Sequence, residues 1–201
     1  AAMNLRGVRE SGAMFALPTY GFLVAVIGMG AYGGYLALMD RLPQVESADL
    51  VVEAAPGYEG EITQVALIFL LARAFSSGCA ALTGVEAISN GVPAFRRPKS
   101  RNAASTLLML GALAVTMLMS IIILAREMGL KYVDPHHLER LKNPDGSPLP
   151  DGYDQHTVIA QIARAVFADF SPAFYFVVAM TGVILVLAAN TAFNGFPVLG
   201  S

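Results

Sequence analysis

Apolar residues gather along this chain into four stretches set apart by polar ones, and that alternation supplies its plan. Met14 to Met39 carries no charge, Ala103 to Ala125 carries none, and a last run opens at Pro172 and continues to about Ala189. Roughly 20 helical residues cross a hydrocarbon core about 30 Å thick, so the pattern predicts membrane spans over 14–39, 103–125 and 172–189. The remaining run, 62–92, is too long for one straight span, and a helix broken near 83–86 fits it better. Ahead of the last span, Val158, Ile159, Ile162, Val166, Phe167 and Phe170 recur at helical spacing with Gln161, Arg164 and Asp169 between them. That spacing predicts an amphipathic helix over 156–170, lying on the outer surface of the spans.

The polar segments orient this plan. Asp40 to Glu61 holds Asp40, Glu46, Asp49, Glu53, Glu59 and Glu61 against a single Arg41, and its Pro43, Pro56 and Gly57 argue against a long helix. Ala94 to Asn102 is the opposite case, with Arg96, Arg97, Lys99 and Arg101 and no acid. Arg6 and Arg9 precede the first span, whereas the long segment 126–154 is rich in Pro, Asp, Gly and Asn and contains the turn pattern Asn143-Pro144-Asp145-Gly146-Ser147. Lys and Arg concentrate on the cytoplasmic side of membrane proteins, so both ends of the chain and the 94–102 loop are expected in the cytoplasm. Ser100 or Asn102 is expected to cap the third span, and Pro18 falls in the first turns of the first one, where a proline disrupts least.

Composition agrees with a membrane chain. Hydrophobic residues make up 55% of the 201 residues and charged ones 14%, with a mean hydropathy of +0.57, outside the soluble range. With no Trp, interfacial anchoring falls to tyrosines such as Tyr20, Tyr35 and Tyr175. The one cysteine, Cys79, excludes an internal disulfide and reads as a small packing residue. No basic cluster interleaved with aromatics suggests nucleic acid, and no nucleophile–base motif or phosphate-cradling glycine loop suggests an enzyme. Asp134, His136, His137 and Glu139 lack the spacing of a metal site and read as a solvated surface. The glycines of the first span, Gly30 and Gly34 among them, read as packing positions that let helices approach. The chain begins at Ala1-Ala2-Met3 and stops at Gly200-Ser201 after a Phe-Pro pair, and reads as an internal piece of a longer protein.

The candidate chemistry lies in the broken stretch, Ala81-Leu82-Thr83-Gly84-Val85-Glu86-Ala87-Ile88-Ser89-Asn90-Gly91-Val92-Pro93. A carboxylate at membrane depth costs a few kcal/mol or more, so Glu86 requires a reason to be there. Gly84 eases a departure from helical geometry, which would free backbone carbonyls beside the Thr83 hydroxyl and the Glu86 carboxylate. Three residues apart, Thr83 and Glu86 share a face wherever the helix survives, and Ser89 and Asn90 extend it. Hard oxygen donors of this kind suit an alkali cation or a proton. The bland account, a protonated Glu86 that pins neighbouring helices together, is less favoured. Arg73, roughly 15 Å along a helix from Thr83, is read as a snorkelling side chain rather than a gate.

These motifs resemble a known group. Thr83-Gly84-Val85-Glu86-Ala87, a basic-proline loop and then Asn102-Ala103-Ala104 are similar to the sixth helix of the amino acid-polyamine-cation permease superfamily. Together with Arg6-Gly7-Val8-Arg9-Glu10-Ser11-Gly12 and Ala188-Ala189-Asn190-Thr191-Ala192-Phe193, the stretch resembles the KimA-type potassium importers in particular. The resemblance implies an all-α membrane fold of the LeuT-like kind, two inverted five-helix repeats with helices one and six broken, of which this chain supplies helices five to eight. It also implies a potassium-binding region at Thr83 and Glu86, with Gly84 between them, and potassium taken up with protons across the cytoplasmic membrane. Amino-acid permeases of the superfamily usually carry an aromatic residue where Thr83 stands, which tilts the reading toward a cation. A proton-coupled amino-acid permease and a non-transporting membrane scaffold are the rivals. No resident cofactor is expected. The expected partners are the bilayer and the missing helices of the same chain, and a homo-oligomer stays open.

Overall fold

The computed structural model describes residues 8–53, 63–79, 82–150 and 152–199. Its elements are α1 (Val8–Leu38), β1 (Val51–Val52), α2 (Gln64–Gly78), α3 (Leu82–Gly91), α4 (Lys99–Glu127), β2 (Leu141–Lys142), α5 (Val158–Val166) and α6 (Ser171–Leu199), with short 3-10 turns at Val92–Ala94 and Pro135–Arg140. The chain is therefore mostly helical. One correction to an all-α reading is the small antiparallel ladder of β1 and β2, which pairs Val51 with Lys142 and Val52 with Leu141. Two acidic or turn-rich loops meet there and satisfy backbone groups that no helix takes up.

Three helical stretches are long and apolar enough to cross a membrane: Phe15–Leu38, Lys99–Glu127 and Ser171–Ala189. The run expected as a broken second span is divided into α2, of 15 residues, and α3, of 10 residues. Two helix starts differ from the sequence-based expectation. α1 begins in the polar residues at Val8, so Pro18 lies inside it rather than in its first turns, and the Thr19 hydroxyl donates to the Phe15 carbonyl at 2.7 Å beside the missing donor. α4 begins at Lys99, so Ser100 and Asn102 are helical and neither is the cap. The Asn102 side chain instead donates to the Arg96 carbonyl at 2.9 Å and ties the basic loop to the helix.

The chain forms two compact parts, residues 1–52 with 119–201, and residues 53–118. In the first part, Ala25 and Met29 of α1, Leu124 and Met128 at the end of α4, Ile162, Ala163 and Val166 of α5, and Val177 of α6 form one buried cluster with the loop residue Val45. Close approach is what the glycines of α1 provide. A Cβ on Gly33 would come within 2.8 Å of Leu124 Cδ2, and one on Gly30 within 2.8 Å of Ser120 Cβ, whereas Gly28 and Gly34 have open space. The packing role read from the glycine-rich pattern thus falls on Gly30 and Gly33 and skips Gly34.

The ends of α1 and α4 are closed in the same manner. Asp40 (φ 53°) and Gly129 (φ 69°) take left-handed conformations. Arg41 N then donates to Leu36 O and Leu130 N to Ala125 O, each at 2.9 Å, which satisfies the last carbonyls of the two helices. α5 starts at Thr157, whose hydroxyl accepts from Ala160 N at 3.3 Å. Its Gln161, Ile162, Ala163 and Val166 are all buried, so it belongs to the core of the first part. The expectation of a helix over 156–170 resting on an outer surface shortens here to a helix with one face fully enclosed.

Candidate functional site

α2 ends at Gly78, capped by Cys79 in a right-handed conformation whose N–H is shared among the Phe75, Ser76 and Ser77 carbonyls. α3 then begins at Leu82 and runs without interruption through Thr83, Gly84, Glu86, Ser89 and Asn90 to Gly91. α2 thus ends a few residues ahead of the 83–86 region in which the sequence placed the break, 83–86 itself is helical, and Ala80 and Ala81 lie outside the described residues. At Gly84 a Cβ would sit 3.2 Å from Leu110 Cδ2, so the missing side chain leaves room for that leucine within a regular helix.

Regular helical geometry has two consequences for the candidate residues. Positions 83, 86 and 90 fall on one side of α3, because residues three and four apart are neighbours on a helix, while Gly84 and Ile88 share the side that meets Leu110. Ser89 and Asn90 are exposed, and Gly84 is half-buried. The side chains of Thr83 and Glu86 lie outside the described residues, as does the motif at Arg6 and the side chains from Asn190 onward. Around them, α2 buries no residue at all. Phe69 is 69% exposed and Phe75 75%, part of an apolar surface that α2 leaves without partners among the described residues.

The electrostatics of this region come from the helix ends. The last carbonyls of α2, which ends at Gly78, carry partial negative charge and favour a cation. Arg73 lies on α2 and is exposed, as expected for a side chain that carries its charge away from an apolar helix.

Elsewhere the structure assembles polar groups that sequence reasoning did not find. Ser47 Oγ donates to Gln161 Oε1 at 2.6 Å and accepts from Lys131 N at 3.0 Å, and Gln161 Nε2 donates to the His156 carbonyl at 2.8 Å. Ser47 is fully buried and Gln161 is 1% exposed. The one signal available in advance was a glutamine on the apolar face of α5. Nearby, Glu46 pairs with His156 at 3.3 Å and with Arg164 at 3.4 Å, all three partly exposed. The Asp134–Glu139 group is held locally: Asp134 Oδ1 accepts from His136 N at 3.0 Å, and His137 meets Glu139 at 3.3 Å with both side chains exposed. A backbone hydrogen bond holds the Glu139 carboxyl below its ordinary value. Among the described residues no three His, Cys, Asp or Glu converge on a common point.

No family model matches the chain. Over 201 residues, 98% of the chain, it is 40% identical to the potassium transporter KimA of Bacillus subtilis strain 168, of whose length it spans 28%. The resemblance first carried by Thr83-Gly84-Val85-Glu86 therefore extends over nearly every residue, and the apolar helices fit an integral membrane protein.

Proposed function

We propose that this KimA-like chain is the middle portion of a secondary active transporter that takes up potassium together with protons across the cytoplasmic membrane. The observation that carries the proposal is the end of α2 at Gly78, capped by Cys79, inside one apolar stretch and a few residues ahead of the turn bearing Thr83 and Glu86. Broken helices of this kind place half-helix ends near the middle of the bilayer, where they bind ions. In this reading the α2 carbonyls and the Thr83 hydroxyl supply neutral oxygen ligands, Glu86 supplies the charge and exchanges the proton, and Ser89 and Asn90 line the way out. Gly84, beside Leu110 of α4, lies between the two ligand positions. The rest of the cage would come from helices of the same chain outside this stretch, in the arrangement of two inverted five-helix repeats. Both ends of the chain and the exposed cations Arg96, Arg97, Lys99 and Arg101 would then face the cytoplasm.

Growth of a potassium-uptake-deficient bacterium on low potassium tests this directly. The full-length protein should restore growth, Glu86→Gln should abolish it and Thr83→Ala should reduce it, at equal membrane abundance. Equal growth with both variants would remove the assigned roles. The second reading is an amino-acid permease, in which the first amides of α3 would meet a substrate carboxylate. Uptake of labelled amino acids that ignores potassium would select that reading. If Glu86→Gln lowers folding yield and leaves every flux unchanged, the residue is a scaffold contact.

A further inference from the structure

The geometry points to a binding site for a zwitterionic phospholipid headgroup, phosphate plus ammonium, in the pocket between the end of α1 and the α5–α6 turn. The inference rests on the membrane reading above but on different residues. Tyr32, Tyr35 and Leu36 of α1, Arg41 just beyond it, and Ala168 and Asp169 of the turn line a cavity of about 260 Å³. Its height relative to the apolar stretches follows from the packing of α1 and α6. Gly21 lies against Met180, and Ala25 shares a core with Val177, so the two helices run antiparallel. The apolar stretch of α1 ends at Leu38 and that of α6 begins at Ser171, which puts Arg41 and Asp169 where both helices leave the hydrocarbon.

The walls are well held. The Asp40 turn fixes Arg41 through its N–H to Leu36 O at 2.9 Å, and Phe170 N donates to Phe167 O at 2.9 Å beside Asp169. The Tyr32 ring stacks on Phe167 with centroids 5.8 Å apart and planes at 6°, and Tyr35 stacks on Tyr32 at 6.4 Å. Tyrosines at this level are ordinary headgroup neighbours. The two charges are what single the pocket out. Arg41 and Asp169 line the same cavity, yet among the described residues neither side chain has a hydrogen-bond or ion-pair partner, and they do not pair with each other. An arginine fork suits a phosphate, a carboxylate suits an ammonium, and a phosphoethanolamine group presents both on one short linker. An anionic headgroup would satisfy Arg41 and leave Asp169 facing a like charge.

Native mass spectrometry of the delipidated full-length protein, titrated with phosphatidylethanolamine, phosphatidylglycerol or free glycerophosphoethanolamine, tests the assignment without reference to transport. Phosphatidylethanolamine should bind tightest. Arg41→Ala should weaken both lipids by roughly tenfold, and Asp169→Asn should weaken phosphatidylethanolamine alone by a similar factor. Both positions are exposed, so thermal unfolding of the lipid-free variants should match the parent, and Arg41→Lys should recover part of the affinity. Unchanged phosphatidylethanolamine binding in Arg41→Ala and Asp169→Asn, or equal affinity for phosphatidylglycerol in the parent, would overturn the site. Binding of glycerophosphoethanolamine as tight as that of the lipid would overturn the lipid as occupant. No potassium uptake by the parent, with headgroup selectivity intact, would strike the transport reading and leave this one standing.

Discussion

Residues 1–52 with 119–201 bury Met29, Met128, Ile162 and Val177 almost completely, together with the hydrogen-bonded pair Ser47 and Gln161, whereas among the described residues of 53–118 the one buried hydrophobic is Ala103. Both parts are rich in the same residue types, so composition does not separate them. What differs is where the partners of their apolar side chains are. The first part carries its partners within the stretch and closes loops over them. The second offers α2, α3 and the start of α4 to surfaces that lie elsewhere, and it is the second that holds the candidate ion site. Between helices in lipid no hydrophobic driving force acts, so close contact and hydrogen bonds must decide which helices pair. The first part shows both devices, in Gly30 against Ser120 and in Gln161 against Ser47. Under the proposed function, a site made by bringing α2 and α3 against other helices would have its specificity only in the complete protein.

The largest expected effect tests that contrast at its root. Ile162→Ala empties a fully buried position and should lower the stability of the full-length protein in detergent by about 2–5 kcal/mol. Phe69→Ala removes a larger side chain that this stretch leaves 69% exposed. If lipid covers Phe69, its loss should shift the thermal midpoint by a small fraction of the Ile162→Ala shift. A shift of equal size would mean that another helix of the chain packs on α2.

Next in size are the close approaches. Gly33→Ala would push against Leu124 and Val166, and an overpacked core typically costs about 1–3 kcal/mol. Gly34→Ala, one residue along with nothing within 4 Å, should be neutral or stabilising by a few tenths of a kcal/mol to about 1 kcal/mol, because alanine is the better helix former. The thermal midpoint of Gly33→Ala should fall and that of Gly34→Ala should not. Ser47→Ala should be comparable to the first, about 1–3 kcal/mol, since it leaves Gln161 Oε1 and Lys131 N buried and without the hydroxyl that joins them. Ser47→Thr, which keeps a hydroxyl, separates that loss from a packing effect.

How much of this was legible in the sequence depends on the range of the interactions involved. Uncharged runs such as 14–39 announce apolar helices because the signal is local and repeated many times over, and the turn at Asn143-Pro144-Asp145-Gly146 is equally local. The position of the helix break was not local. Gly84 offered a cheap place to unwind, but only the approach of Leu110 shows that its missing Cβ is used for packing. Gln161 was visible as a polar residue among Ile159, Ile162 and Val166, yet its partner Ser47 is 114 residues away, and nothing in the spacing could name it. Arg41 and Asp169 looked like ordinary loop charges until the antiparallel packing of α1 and α6 brought them to one cavity. The string Thr83-Gly84-Val85-Glu86 carried the resemblance to the potassium transporter KimA because it is a run of residues rather than an arrangement.

The smallest expected effect belongs to a loop that orders itself. Asp145 Oδ1 accepts from Ser147 Oγ at 2.6 Å and from Ser147 N at 2.9 Å, and these bonds, the hydroxyl first, hold its carboxyl below the usual aspartate value. A carboxylate that releases its proton more readily when folded contributes stability above the unfolded-state value, and that contribution disappears as the pH falls through the lowered one. The group is exposed, so the effect should be confined to the turn. Hydrogen–deuterium exchange of the 141–148 segment in the full-length protein should show more protection in the parent than in Asp145→Asn above the ordinary aspartate value. The two should converge in more acidic solution. Equal protection of the two at the higher pH would mean that the Asn143 bonds to Ser147 and Pro148, at 3.0 and 3.1 Å, carry the turn without the carboxylate.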